Sequence, residues 1–241
     1  MLPNFLVYLE AQKQIKFNDI IIYQTTLDDI LDYDIEKYNE LLLPFLLDVD
    51  DFDIPDKTLI QDINIFDILL SNKQTLTMLL DAISYFCKTD KIIFDEQRMV
   101  LYVGQGYIDR NNFSDFSDVI LKINAKQKIQ KEKPPVNMSE KQKEIWEKLQ
   151  AGRQRALAKS QVNLADLINT CQFAGDYYIS MDEISRWTLW NIARCYKSIF
   201  GKNNFRESFE IYCVTGEDKL IKNRHWSDLI KVDSDENTGK E

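Results

Sequence analysis

The sequence predicts an α+β protein that is mostly helical: an N-terminal mixed body with a short β-hairpin, a long basic helix and a C-terminal helical body. Three observations carry this reading. Apolar residues recur at helical spacing over long stretches, as in Leu76, Leu79, Leu80, Ile83 and Phe86. β-branched runs are few and short: FNDIIIY from Phe17, then IIF and MVLYV between Ile92 and Val103. Only 7 Gly and 5 Pro occur in 241 residues, too few for a loop-built fold or a sandwich with many tight turns.

In chain order, Phe17 to Tyr23 reads as one strand, β-branched and ending in an aromatic. Thr25 and Thr26 precede Leu27-Asp28-Asp29, a helix start in which a hydroxyl accepts from a free N–H and carboxylates favour the positive helix end. Helices over residues 27–34 and 36–47 follow, then an acidic loop from Asp48 to Asp53 closed by Pro55. Helical spacing resumes over residues 59–70, with Ile65 and Leu69 in phase, and over 75–87. Residues 91–103 form a hairpin around Asp95-Glu96-Gln97-Arg98, its second strand ended by Gly104 and Gly106. Asn111-Asn112 is the expected cap of a helix over 113–125, with Phe116, Ile120 and Ile123 as its stripe.

The charge then reverses sign. Residues 1–121 carry a net −13, residues 122–162 a net +7 and residues 163–241 a net −3. This divides the chain into an α+β body over 1–125, a linker over 126–138 broken by Pro134-Pro135, a long helix with a C-terminal helical body over 139–232, and a polar tail over 233–241 expected to be disordered. Ser139-Glu140-Lys141-Gln142 is a capping box, from which one helix is expected to reach about Cys171. Ile145, Leu149, Gly152, Ala156, Leu164, Leu167 and Cys171 line one side, and the weakly apolar middle, AGRQRALAKSQ, is expected in solvent. A second box, Ser180 to Glu183, starts a helix expected to end at Gly201, with two apolar sides formed by Ile184, Trp187, Leu189, Trp190, Ile192, Ala193 and Tyr196. Phe205 to Val214 is a further helix or strand, Gly216 a turn, and His225 to Leu229 a docking segment.

Catalytic, cofactor and metal sites are not expected. His225 is the only histidine, which rules out a multi-histidine metal centre. Asp48 to Asp53 lacks the glycine and the glutamate of a calcium loop, and with Asp28 and Asp29 reads as solvated acidic surface. Gly104-Gln105-Gly106 has no third glycine at dinucleotide spacing, and no GxxxxGK[ST] occurs. Ser180 and Ser227 have no base partner, and Trp187 and Trp190 are expected to pack in a core. Cys87, Cys171, Cys195 and Cys213 make no CxxC pair and read as buried reduced thiols. The start, MLPNFLVYLEAQKQ, has no signal-peptide pattern and no apolar run spans a membrane, so a cytoplasmic protein is expected.

An acidic pI of about 4.8 argues against general nucleic-acid binding. The basic helix is the candidate partner-binding surface. Lys141, Lys148 and Arg155 fall at intervals of seven, Glu144 and Lys148 make an oriented pair four apart, and Ile145, Leu149 and Arg153 complete the set. A solvated helix is the plain alternative; neutralising the cations separates the two.

One further likeness rests on the order of several passages: TTLDDI; LLDAISYFCKTDKIIFD with MVLYV; Gly106 to Phe113 (GYIDRNNF); KPPVNMSEKQKEIWEKLQAGR; WTLWNIARCYKSIFGKNNFRESFEIY; and HWSDLI. In this order, over nearly all of residues 17–231, the chain resembles the tail assembly chaperones of Gram-positive siphophages and related prophages. The resemblance implies a non-enzymatic morphogenesis factor in the cytoplasm of the host bacterium. Its partner would be the tape measure protein, kept soluble until the tube polymerises. A homo-oligomer would use the helix beginning at Ser139. The alternative is a virion structural or connector protein of the tail or head, which purified particles would contain; a nucleic-acid-associated role and an enzyme rank below these.

Overall fold

The computed structural model describes residues 5–52, 63–128, 139–160 and 162–216, with Glu147 and residues 154–160 described as backbone only. It is a mostly helical α+β fold with two small antiparallel sheets. After a short helix, α1 (Phe5–Glu10), the expected single strand turns out to be a hairpin, β1 (Ile15–Phe17) and β2 (Ile20–Ile22), with Ile15 opposite Ile22. The reason lies in Asn18 and Asp19, at φ 43° and 65°: a two-residue turn with both centres left-handed matches strand twist, and these side chains tolerate that region. Ile15, Phe17, Ile20 and Ile22 then face inward.

Helices α2 (Leu27–Tyr33) and α3 (Ile35–Leu46) stand close to expectation. Thr26 accepts from the Asp29 N–H while the Asp29 carboxylate accepts from the Thr26 N–H, and Asp34 caps α3. The acidic loop tightens into a 3-10 turn, Val49–Asp51, whose Asp48 and Asp51 carboxylates satisfy backbone N–H groups at its start. Residues 53–62, with Pro55 and the start of the helix expected from 59, lie outside the described residues. Helices α4 (Ile65–Ser71) and α5 (Lys73–Cys87) follow, capped by Asn64 and Asn72.

The second hairpin gains a third strand: β3 (Ile92–Asp95), β4 (Val100–Val103) and β5 (Gly106–Ile108) form a meander. Gly106 therefore opens a strand rather than ending one. A Cβ there would lie 2.3 Å from the Asn18 carbonyl oxygen and 2.6 Å from Ile20 Cγ1, so only glycine lets the meander rest on the β1–β2 hairpin. Gly106→Ala is expected to cost at least about 1–3 kcal/mol, because backbone must move, as urea denaturation would register.

Helix α6 (Phe113–Ile123) departs from the sequence reading at its cap. Asn112 makes no side-chain cap bond; the Asp109 carboxylate accepts from the Asn111 and Asn112 N–H groups at 2.9 and 3.0 Å. The Asn112 side chain points back, accepting from the Asp109 N–H and donating to the Tyr107 carbonyl. At the far end, the buried Tyr38 hydroxyl donates to Asn124 Oδ1, and Asn124 Nδ2 donates to the Ile120 carbonyl at 2.8 Å. Burial pushes the Tyr38 phenol above its ordinary range. Tyr38→Phe strands the buried Asn124 amide oxygen and is expected to cost about 1–3 kcal/mol in denaturation.

The C-terminal region carries the largest corrections. The Ser139–Gln142 box opens α7 (Glu140–Ser160) as expected. The chain does not continue helically to Cys171: Asn163 caps a separate α8 (Leu164–Phe173), accepting from the Asp166 N–H at 2.8 Å. Ser180 caps only the short α9 (Met181–Ile184), and Thr188 opens α10 (Leu189–Thr215). The break has a tertiary cause. The carbonyls of Ser185 and Trp187 leave the helix path to accept from the Asp28 and Leu27 N–H groups, at 2.9 and 2.8 Å, satisfying the free donors at the start of α2. Gly201 is buried inside α10 instead of ending it, and residues 205–214 belong to the same helix. The helix ends at Gly216, φ 69°, whose N–H donates to the Tyr212 carbonyl.

Candidate interaction surfaces

The two apolar sides at the start of α10 go to different cores. Ile192 joins Leu27, Cys171 and Ile184 in a small buried cluster between α8, α9 and α2, with Trp187, Cys195 and Tyr196 packed around it. Trp190 points the other way and is buried in the main core of the N-terminal elements. Both tryptophans thus pack, as expected. Polar contacts fix the same junction: Arg194 pairs with Glu10 at 2.9 Å, and Asn191 Nδ2 donates to the Glu10 carbonyl at 3.2 Å. The first half of α10 is in this way fully committed.

Its second half is not. Phe200 is 52% exposed, Phe209 50%, Ile211 45% and Val214 87%. Tyr196 stacks on Phe200, and Phe205 stacks on Phe209, which in turn meets Tyr212. At 100° per residue, Phe200, Ile211 and Val214 share one side of α10, while Phe205, Phe209 and Tyr212 share another. The side between is polar. Lys202 and Arg206 hold Asp176 of the α8–α9 connection, and the Lys202 ammonium, with Arg206 adding to it, draws the Asp176 carboxyl below the usual range. That anchor leaves Tyr177 and Tyr178 outward, Tyr178 against the exposed ring of Phe173.

The residues chosen from sequence lie on α7. Lys141, Ile145, Lys148, Leu149 and Arg153 are all exposed; Ile145 and Leu149, one turn apart, stay outward, and Lys148 pairs with Glu144 at 2.7 Å. The Arg155 side chain lies outside the described residues, as do His225, Ser227 and the whole segment from residue 217. What sequence reading missed is the outer half of α10. Its signal was present in Phe205 and Phe209 four apart beside Phe200 and Ile211, more apolar surface than one neighbouring helix can cover.

Among the described residues there is no group of three or more His, Cys, Asp or Glu arranged to hold a metal ion. A cleft of about 490 Å³ lies between α2 and the end of α5, lined by Asp29, Asp32, Tyr33, Tyr85, Lys88 and Asp90 among others. Its Asp29 is engaged by Thr26, and its Lys88 sits over the Tyr23 ring. Ser180 Oγ is a helix cap, accepting from the Glu183 N–H. No described helix is long and apolar enough to cross a membrane.

Fold and surface together define a helix-rich α+β protein with exposed aromatic helix faces. No family model matches the chain, and neither a curated protein nor a solved structure matches it.

Proposed function

We propose that this chain works by contact and catalyses nothing: it holds an apolar helical polypeptide in solution, as the tail assembly chaperones it resembles do for the tape measure protein. The observation that carries this reading is the outer half of α10, where Phe200, Ile211 and Val214 stand exposed along one side of the helix. Exposed apolar surface of this extent marks an interaction site, and an amphipathic helix is matched by helix-in-groove pairing. The exposed Ile145 and Leu149 of α7, flanked by Lys141, Lys148 and Arg153, offer a second strip whose cations suit a partner with acidic edges. The net −13 of residues 1–121 keeps a loaded complex dispersed by repulsion.

Co-expression tests the proposal. A tape measure protein from the same genome is expected to move from the pellet to the soluble fraction when this chain is present, and to co-purify with it. Unchanged insolubility, or recovery of this chain as a stoichiometric component of purified virions, would count against the chaperone role; the second result would select a structural or connector protein of the tail or head.

A further inference from the structure

The three-stranded meander has one edge that the fold leaves open. β5 meets the β1–β2 hairpin at Gly106, whereas among the described residues β4 is the only strand beside β3. The register shows which backbone groups of β3 face outward. The Gly104 N–H donates to the carbonyl of Lys91, directly opposite it, so the hydrogen-bonded pairs with β4 are Lys91–Gly104, Ile93–Tyr102 and Asp95–Val100. The N–H and carbonyl groups of Ile92 and Phe94 therefore point away from β4, and no described residue pairs with them. Their side chains pack on the main core, while Ile93 projects from the other face of the sheet and is 66% exposed. Ile93 ends a cross-strand row: it lies opposite Tyr102, which lies opposite the exposed Tyr107. An open, apolar edge of this kind is a template for another strand.

We propose that this edge pairs with the same edge of a second copy, antiparallel across a twofold axis at Ile93, joining two meanders into one six-stranded sheet. The backbone selects this register. With Ile93 opposite its own counterpart, Ile92 of each chain lies opposite Phe94 of the other. These are the outward-facing residues, so each such pair exchanges two hydrogen bonds and every open group of the edge is satisfied. An axis at Ile92 would set Phe94 against Asp90, and one at Phe94 would set Ile92 against Glu96, both beyond the strand.

Charge selects a second copy as the occupant. In the same register Lys91 falls opposite Asp95 of the other chain, on the face that carries Ile93, at both ends of the pairing. Lys91 is exposed and ion-paired with no described residue. The Asp95 carboxylate accepts from the Gln97 and Arg98 N–H groups, and the Arg98 guanidinium stands 3.8 Å off, which leaves room for a closer cation. The next positions outward, Asp90 against Glu96, would oppose like charges and so confine the pairing to Lys91 through Asp95. Between the two ion pairs the apolar row becomes continuous, with Ile93 against Ile93 at the axis and Tyr102 and Tyr107 of each copy extending it outward.

Sedimentation velocity of the full chain across a concentration series is expected to reveal a species of twice the 28.4 kDa chain mass. Ile93→Lys sets two ammonium groups against each other at the axis and is expected to raise the dissociation constant about a hundredfold or more. Leu149→Ser on α7 and Phe200→Ser on α10 should leave it unchanged. In a Cys213→Ser background, Ile93→Cys is expected to oxidise to a covalent dimer whose cross-linked peptide joins position 93 to itself, since Cα atoms of such a pair lie about 4.5 Å apart. Amide hydrogen exchange gives a separate readout: the Ile92 and Phe94 N–H groups should be protected only in the dimer, and that of Ile93, bonded to β4, in both states. A chain that stays monomeric, a dimer that survives Ile93→Lys or is lost in Phe200→Ser, or Ile92 and Phe94 amides that exchange equally fast in both states would overturn the pairing. Mass and exchange of the unsubstituted protein decide this even if a variant does not fold.

Discussion

Phe45→Ala is expected to remove about 3–5 kcal/mol of stability, much of what a domain of this kind holds in reserve. Phe45 is fully buried on α3, and its ring meets Phe86 of α5 and Phe113 and Phe116 of α6. Phe66 of α4 packs on Phe113, and Phe17 of β1 on Phe116. One ring therefore sits where three helices converge and two further elements are one contact away. Its removal leaves a cavity that no single neighbour can fill without dragging another element. Urea denaturation followed by far-ultraviolet circular dichroism measures the loss. Leu43→Ala, on the exposed side of the same helix, is the control and should stay within about 0.5 kcal/mol. A Phe45 loss below about 1 kcal/mol would mean that the aromatic cluster is not the keystone of the core.

Two of these rings, Phe86 and Phe116, were legible in the sequence as members of helical stripes, because periodicity is a local signal that tertiary packing reinforces; the convergence on Phe45 was not, since it depends on how α3, α5 and α6 meet. The stripes Leu79, Ile83, Phe86 and Phe116, Ile120, Ile123 are buried. Legibility failed where a distant segment decides local structure. Within residues 180–200 only Thr188, a possible cap, hints at a new helix start; the break at Ser185 is set by the free N–H groups of Leu27 and Asp28. The strand reading of residues 17–23 failed differently: Asn18 and Asp19 are good turn residues, yet the β-branched run after them hid the turn. Asn112 makes no side-chain cap to α6 because its amide turns back to the Asp109 N–H, in a turn that the Asp109 carboxylate closes onto the Asn111 and Asn112 N–H groups, and spacing alone does not reveal that turn.

The surfaces divide in the same way. Lys141, Ile145, Lys148, Leu149 and Arg153 could be set together on one exposed helix from sequence because charge and heptad spacing lie within that helix. The outer half of α10 could not be, since it becomes visible only once Gly201 is known not to stop the helix. The cysteines, all four expected to be buried, divide likewise: Cys87 and Cys171 are buried, whereas Cys195 is half-buried and Cys213 is exposed, because the outer half of α10 leaves the packed core.

A Phe200→Ser, Ile211→Ser double substitution, on one side of α10, is expected to weaken partner binding about a hundredfold while costing the free protein about 1 kcal/mol per site. Burying such an apolar side chain in an interface contributes about 1.5–3 kcal/mol, each 1.4 kcal/mol is a tenfold change, and half-exposed side chains give the free protein the smaller part of that. Titration of an amphipathic helical fragment of the tape measure protein, followed by calorimetry, would read the affinity, with thermal unfolding of the variant as the stability control. Lys141→Gln, Lys148→Gln and Arg153→Gln combined should act differently, slowing association and flattening its salt dependence with a smaller change in dissociation rate, because exposed charges steer more than they hold. If instead the α7 variant abolished binding and the α10 variant bound normally, the aromatic half of α10 would have no part in capture, and the contact surface would be the basic helix alone. The two variants act on separate helices, so their effects should add for a partner that spans both, and the shortfall from additivity would measure how far one surface positions the other.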